Sequence, residues 1–356
     1  MDFLVHTTAP GALDKQVLEL GARIIPCLPR LQDGNPLRYA RNFRRILREC
    51  GPYDCVHSHI HHSSGYILML AALMGVPVRI AHSHNDTSAI DRTYPSARRM
   101  YCSAMDALIR RFATVGIAVS RSAASALFSD SWSADKRWRL CPLGIDLHPF
   151  TMDIDAHTIR SELGIAQNSF VIGHVGRFAE QKNHRFLVKI AECLSRIEPR
   201  VVFLLVGDGP LKPEIEALVR ERGLSTNFIF LGVRADVQRL MKGAMDCFLF
   251  PSSYEGLGLV LWEAQAAGLT CVISDTIPQE ASVAIKLVRR LSLDAPPEVW
   301  ANELQRICPI AGRLRDPMPA KLSDCTIEAS AAGITRIYDS CMCSVRAGKR
   351  RGGARL

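Results

Sequence analysis

Glu255 and Glu263 lie eight residues apart, across the glycine-rich segment Pro251-Ser252-Ser253-Tyr254-Glu255-Gly256-Leu257-Gly258. That segment joins an apolar run to an amphipathic one, where a strand hands over to a helix. In open α/β sheets, ligands bind beyond the carboxyl ends of strands. Glycines there let the backbone approach a ligand, and the free N–H groups of a helix start favour an anion. Two carboxylates so spaced can accept hydrogen bonds from hydroxyls at two points of one polyol. A plain surface helix fits the same spacing, with Glu255 a partner of the helix dipole and Glu263 solvated. Upstream, Gly176-Arg177-Phe178 follows directly on the apolar run Phe170–Val175, with Lys182 close behind. An Arg fork and a Lys point charge both suit phosphate oxygens. Two solvated loop cations would read the same way. The match with the Gly256 loop favours the anion reading, because both loops fall on one rim of the same domain.

Histidines form a second constellation. His57-Ser58-His59-Ile60-His61-His62 resembles the HxHxDH run of metallo-β-lactamase-like hydrolases, with His61 in place of the acid. Zinc needs three or four ligands in tetrahedral geometry. His57, His59 and His62 are the candidates for such a metal hydrolase. No suitably spaced Asp or Cys completes the set, so no metal site is expected. His82 and His84 alternate on a later strand and read, with the others, as strand-end histidines lining a cleft. Asp153-Ile154-Asp155 matches the DxD string of one glycosyltransferase class, but it falls in a linker rather than after a strand and is read as chance. Neither GxGxxG nor GxxxxGK[ST] occurs, which removes the main support for a nicotinamide or P-loop site.

The elements that must position these residues alternate regularly. Strands are expected at Phe3–Val5, Arg23–Ile25, Asp54–His57 and Val76–His82, with helices at Ala12–Leu20, Leu37–Glu49 and Tyr66–Met74. After a break at Pro142-Leu143-Gly144-Ile145-Asp146, strands are expected at Phe170–Val175, Val201–Val206, Phe228–Leu231, Cys247–Phe250 and Cys271–Ser274. Helices are expected at Asn183–Ile197, Leu211–Arg222 and Leu257–Ala267. This βαβα rhythm predicts parallel sheets covered by helices, in two α/β units joined near residues 145–168. The length of 356 residues agrees with two domains. Hydrophobic residues at 48% and charged residues at 22% are ordinary for a globular chain, which argues against disorder or fibre. The longest apolar run, Ile67–Met74, is far short of the roughly 20 residues that span a bilayer. The opening Met1-Asp2-Phe3-Leu4-Val5 has no basic start of a secretory signal. Twelve scattered cysteines without a CxxC read as reduced cytosolic thiols.

The net charge of +9 is uneven. Seven arginines lie between Arg23 and Arg48, against the single acid Asp33. Arg38, Arg41, Arg45 and Arg48 share one helix face, with Leu37, Ala40, Phe43 and Leu47 on the apolar side. That face is either solvated or a peripheral contact for anionic membrane. Five more cations fall in the last eleven residues, a Gly-rich stretch that reads as disordered.

From Gly173 to Glu280 the chain resembles the donor-binding domain of retaining glycosyltransferases of GT-B architecture, in glycosyltransferase family four. The matching pieces are His174-Val175-Gly176-Arg177 with Gln181-Lys182-Asn183, Leu205-Val206-Gly207-Asp208-Gly209-Pro210, Phe230-Leu231-Gly232, Phe250-Pro251-Ser252, and Glu255-Gly256-Leu257 through Glu263-Ala264-Gln265-Ala266-Ala267-Gly268. Ile80-Ala81-His82-Ser83-His84-Asn85 and Pro142–Asp146 look like the branch that builds exopolysaccharide or capsule. The resemblance implies two Rossmann-like domains facing each other across a cleft: an acceptor-side domain over 1–150 and a nucleotide-sugar domain over 151–322. A helix over 323–345 would cross back, followed by a basic tail over 346–356. It implies that Arg177 and Lys182 bind the donor diphosphate and Glu263 the ribose. Glu255 would contact the transferred sugar, and the amides of Gly256 and Leu257 would approach sugar or phosphate. His82, with His84 as the second choice, would face the reacting sugar. It further implies a metal-independent, cytoplasmic enzyme with no cofactor beyond its nucleotide-diphosphate sugar, a saccharide or lipid-linked acceptor, and no nucleic acid. Two departures stand out. Thr270 replaces the usual proline, and about thirty residues of an opening strand, loop and helix are missing from the pattern. The second implies either a late-assigned start or an inactive remnant that still binds nucleotide sugar.

Overall fold

The computed structural model describes residues 1–30, 33–308 and 318–352. In chain order the strands are β1 (Asp2–Val5), β2 (Arg23–Pro26), β3 (Cys55–Ser58), β4 (Val78–Ser83), β5 (Val115–Ala118), β6 (Trp138–Leu140), β7 (Phe170–Val175), β8 (Val201–Val206), β9 (Phe228–Phe230), β10 (Cys247–Phe250), β11 (Thr270–Ser274) and β12 (Val288–Leu291). They form parallel sheets, as the alternation predicts. The second half of the chain holds one sheet in the order β12-β11-β10-β7-β8-β9. Chain direction across this sheet reverses between β7 and β10, which are adjacent (Cys247 opposite Ile172). A crevice opens outside the carboxyl ends at such a switch point. Helices cover both faces, so the central strands read as continuous apolar runs. Phe203, Leu205, Phe248, Leu249 and Val272 are fully buried. His184–Ser195, Lys212–Glu221 and Pro297–Ile307 pack on one face. Val237–Gly243 and Leu259–Ala266 pack on the other.

The first half holds a four-stranded sheet, β3-β4-β5-β6, and a separate ladder of β1 and β2. Helix Ser64–Leu73 packs tightly on Ser96–Phe112, because Gly65 leaves room for the Met105 carbonyl; a Cβ at Gly65 would lie 2.1 Å from that oxygen. Helix Pro36–Cys50 covers the ladder. Its buried face is Tyr39, Phe43 and Ile46, joined to Leu4, Ile25 and Val56. The expected apolar stripe is thus rotated. Leu37 is 77% exposed and stands beside the arginines rather than in the core.

The chain crosses between the halves at two places that touch. Ile145 N–H donates to the Cys325 carbonyl (2.9 Å), and Ile327 N–H donates to the Ile145 carbonyl (3.3 Å). Gly144 is needed here, since a Cβ would come within 2.0 Å of the Thr326 carbonyl oxygen. The final helix, Ile327–Gly352, then lies on the first sheet, where Ile337 and Cys341 join Val78, Ile80, Val115 and Ile117. It continues through most of the stretch read as a disordered tail from residue 346. Alanine, lysine and arginine there are good helix formers. Residues 353–356 lie outside the described residues. The twelve cysteines are all unbridged.

Candidate active site

Two loops at the switch point hold the site. After β7, Gly176 N–H donates to the Val206 carbonyl (3.0 Å). Gly207, at φ +135°, lets the β8 loop close in; a Cβ there would sit 2.1 Å from the Gly176 carbonyl oxygen. The β7 loop is stitched to the loop after β10. Ser253 N–H donates to the Gln181 carbonyl (2.8 Å), and the Gln181 side-chain amide donates to the Tyr254 carbonyl (3.0 Å). Between these stitches the Lys182 ammonium donates to Glu255 Oε1 at 2.6 Å, with side chains only 15% and 7% exposed. The same ammonium lies 4.6 Å from the Phe250 ring centre. Arg177 is exposed and has no side-chain partner among the described residues.

Gly256 brings the two halves together. Its Cα faces the His84 carbonyl, and a Cβ would lie 1.6 Å from that oxygen. A cavity of about 500 Å³ opens beside this contact, lined by Arg177, Lys182, Arg234, Glu255, Glu263 and His84, among others. The loop residues Gly256 and Leu257 also line it. They lie before the helix start rather than in it. Gly258 is left-handed at φ +77°, so the helix begins at Leu259, and the open N–H groups belong to Leu259 and Val260. Glu263 is four residues into this helix, half-buried, and burial raises its carboxyl above the usual range. Arg234 lies outside the sequence motifs quoted above. It follows β9 as Arg177 follows β7, a cation just past a strand end, and its guanidinium is braced by Asp236 (2.8 Å).

The histidines arrange differently from the sequence expectation. His84 is on the cavity wall, whereas His82 is 3% exposed and sits behind it, ring centroids 4.1 Å apart. His62 is withdrawn from the His57–His59 pair expected to bind metal. Its Nδ1 meets Asp106 (2.6 Å) and its Nε2 meets Asp91 (3.1 Å). Burial alone would lower its pKa, but those carboxylates outweigh burial and raise it. The place of His62 is taken by His82, grouped with His57 and His59. Burial and the neighbouring rings push His82 down to about 2 and His57 to about 3, so both are uncharged at neutral pH. Asp155 caps the helix Ala156–Glu162 through His157 N–H, and Asp153 is exposed, so the DxD string is a helix start.

Two facing Rossmann-like units with a cation-lined switch-point cavity define the GT-B class of sugar transferases. Residues 2–148 match Glycosyltransferase Family 4, and residues 155–311 match Glycosyl transferases group 1. The chain is 40% identical over 313 residues to the putative glycosyltransferase EpsF of Bacillus subtilis, covering 88% of this chain and 80% of that one. It is 28% identical over 227 residues to the UDP-Gal:alpha-D-GlcNAc-diphosphoundecaprenol alpha-1,3-galactosyltransferase of Escherichia coli, covering 63% of this chain and 58% of that one. The fold matches Anabaena Alr3699/HepE, solved in complex with UDP-glucose, with a TM-score of 0.72, 20% identity and coverage of 95% and 99%. The protein belongs to the group 1, family 4 glycosyltransferases. It is a transferase that acts on nucleotide sugars.

Proposed function

We infer that this protein transfers a sugar, with retention at the anomeric carbon, from a nucleotide-diphosphate sugar to a saccharide or lipid-linked saccharide during assembly of a cell-surface polysaccharide. The observation that carries the reading is the cavity with Arg177, Lys182 and Arg234 set against Glu255 and Glu263. Breaking the glycosidic C–O bond puts negative charge on the leaving diphosphate. Arg177, Lys182 and the N–H groups of Leu259 and Val260 stabilise that charge electrostatically. Glu263 accepts from the ribose hydroxyls and Glu255 contacts the transferred sugar, with Gly256 and Leu257 as its backbone neighbours. The acceptor hydroxyl attacks from the face the diphosphate leaves, and its proton passes to the departing phosphate. His84, the second choice of the two histidines, faces the reacting sugar from the cavity wall, and His82 packs behind it. Lipid-linked saccharide as acceptor follows the named reaction of the Escherichia coli relative.

The acceptor side faces a membrane in this reading. Arg38, Arg41, Arg44, Arg45 and Arg48 are all exposed on the helix Pro36–Cys50, with Leu37 beside them. Cationic side chains with an exposed leucine suit the headgroup region of an anionic bilayer, which supports peripheral work at the inner, cytoplasmic face. Among the described residues no helix is long and apolar enough to cross a membrane.

A nucleotide-release screen across UDP-, GDP-, ADP- and TDP-sugars, with a lipid-linked saccharide acceptor, tests the reading. Turnover with one donor class is expected. Tight nucleotide binding without turnover would point instead to an inactive remnant. Arg177→Ala is expected to weaken nucleoside diphosphate binding by about 1.5–3 kcal/mol, the worth of a charge-assisted contact. Unchanged calorimetric affinity would remove Arg177 from the site. Turnover is expected to survive a chelator, because protein groups meet the diphosphate charge. A strict need for added magnesium or manganese would overturn that.

A further inference from the structure

Side chains alternate across a strand with period two, so His57 and His59 leave one face of the sheet at the end of β3. β4 runs parallel beside it, with His57 opposite Ile80. The same alternation therefore brings His82 and His84 to the same face, and four imidazoles gather at the carboxyl ends of two adjacent strands. His57 Nε2 lies 3.2 Å from His82 Nδ1, and His59 Nδ1 lies 2.8 Å from His84 Nε2. One nitrogen each of His57, His59 and His82 fall within 4.8 Å of one another. Two nitrogens on one tetrahedral zinc stand about 3.3 Å apart, given Zn–N bonds of about 2.0–2.1 Å. The His57–His82 pair already has that separation, and the third nitrogen reaches it by small side-chain rotations.

A further observation supports His57 as a ligand. His57 Nδ1 shares a 2.6 Å hydrogen bond with the Tyr338 hydroxyl, which the return helix carries over the first sheet. With Nε2 on a metal, Nδ1 holds the proton and donates to Tyr338, the outer bond that orients a ligating imidazole. An all-imidazole donor set suits zinc, copper or nickel, and does not suit magnesium or manganese, which prefer oxygen.

We propose that His57, His59 and His82 form a zinc site on the acceptor side of the cleft, with His84 or water in the fourth position, and that zinc bound there inhibits transfer. The metal takes up His82 and crowds His84, which stands on the donor cavity wall. It is an occluding ion and no part of the reaction. The inhibitory half rests on the transferase reading above; the binding half does not. Zinc is titrated calorimetrically into protein freed of metal with a chelator and dialysed, with magnesium as the control. Nucleotide release is then followed at each zinc level. One Zn²⁺ per chain is expected, with no heat from magnesium and loss of turnover as the site fills. His59 is exposed, so His59→Gln leaves the fold intact; it is expected to weaken zinc binding at least about tenfold and to keep nucleotide release active in zinc. Tyr338→Phe is expected to weaken binding about tenfold while leaving every ligand in place. Zinc affinity unchanged in His59→Gln overturns the site. Stoichiometric zinc with full turnover overturns the inhibition. If no donor is turned over at all, the transferase reading fails, and the calorimetry still decides the site.

Discussion

Lys182→Ala is expected to lose both donor binding and stability, and the two losses separate by a second substitution. The ammonium is the sole charged partner of Glu255 among the described residues, at 2.6 Å, in a pair that is almost wholly buried. Removing one member of a buried pair leaves an uncompensated charge and costs about 3–5 kcal/mol. Denaturant midpoints are therefore expected to fall well below those of Arg177→Ala, whose exposed guanidinium leaves nothing buried behind it. Adding Glu255→Gln to Lys182→Ala neutralises the stranded carboxylate, so most of the stability returns. Nucleoside diphosphate affinity does not return, because the cation that meets the phosphates is still missing; about tenfold or more is lost at 1.4 kcal/mol per decade. A single variant as stable as the parent, or a double variant that binds nucleotide normally, would contradict the assignment.

Gly256→Ala is expected to abolish most transfer while leaving each half folded. One methyl group is the smallest addition possible, yet its Cβ would stand 1.6 Å from the His84 carbonyl oxygen and 2.6 Å from its carbon. Neither neighbour is a flexible side-chain tip, so the β10 loop and the end of β4 must move apart. Misplacing reacting groups by about 1 Å costs about a hundredfold in rate. Single-turnover rates are expected to fall on that order, while affinity for nucleoside diphosphate, held by Arg177 and Lys182, changes by much less. Turnover within twofold of the parent would show that the two loops need not touch for catalysis.

The donor half was legible because its physics is repetitive. β7, β8 and β10 are central strands buried on both faces, which makes them short apolar runs; the expected bounds for all three are those found. Loops after such strands are where chemistry is placed, and Arg177, Lys182, Glu255, Gly256, Leu257 and Glu263 do line one cavity. The stretch from Asn85 to Pro142 carries no clear strand–helix rhythm in its sequence, although it holds β5, β6 and the helix Ser96–Phe112. That helix buries only Cys102 and Ile109, so its pattern is mostly polar. β6 has three residues, one of them Arg139. β12 carries Arg289 and Arg290 on a sheet edge, where alternation need not be apolar. His82 and His57 were visible as strand-end histidines, but which of them meet depends on the pairing of β3 with β4, and strand pairing is a tertiary fact. That is why His62 stood in for His82 in the expected ligand set.

The paired crossings at Ile145 and Thr326 make the nucleotide-sugar half an insertion, leaving and rejoining the acceptor half at one point. An insertion with adjacent ends is a cassette: it can be lifted out between those two residues and replaced by the corresponding segment of another transferase without lengthening either junction. The final helix stays with the acceptor half, so an exchange made by one cut, at the middle of the chain, would carry that helix away from the strands it covers. Chimeras cut at both crossings are expected to fold where single-cut chimeras do not, and to take their donor preference from the inserted piece.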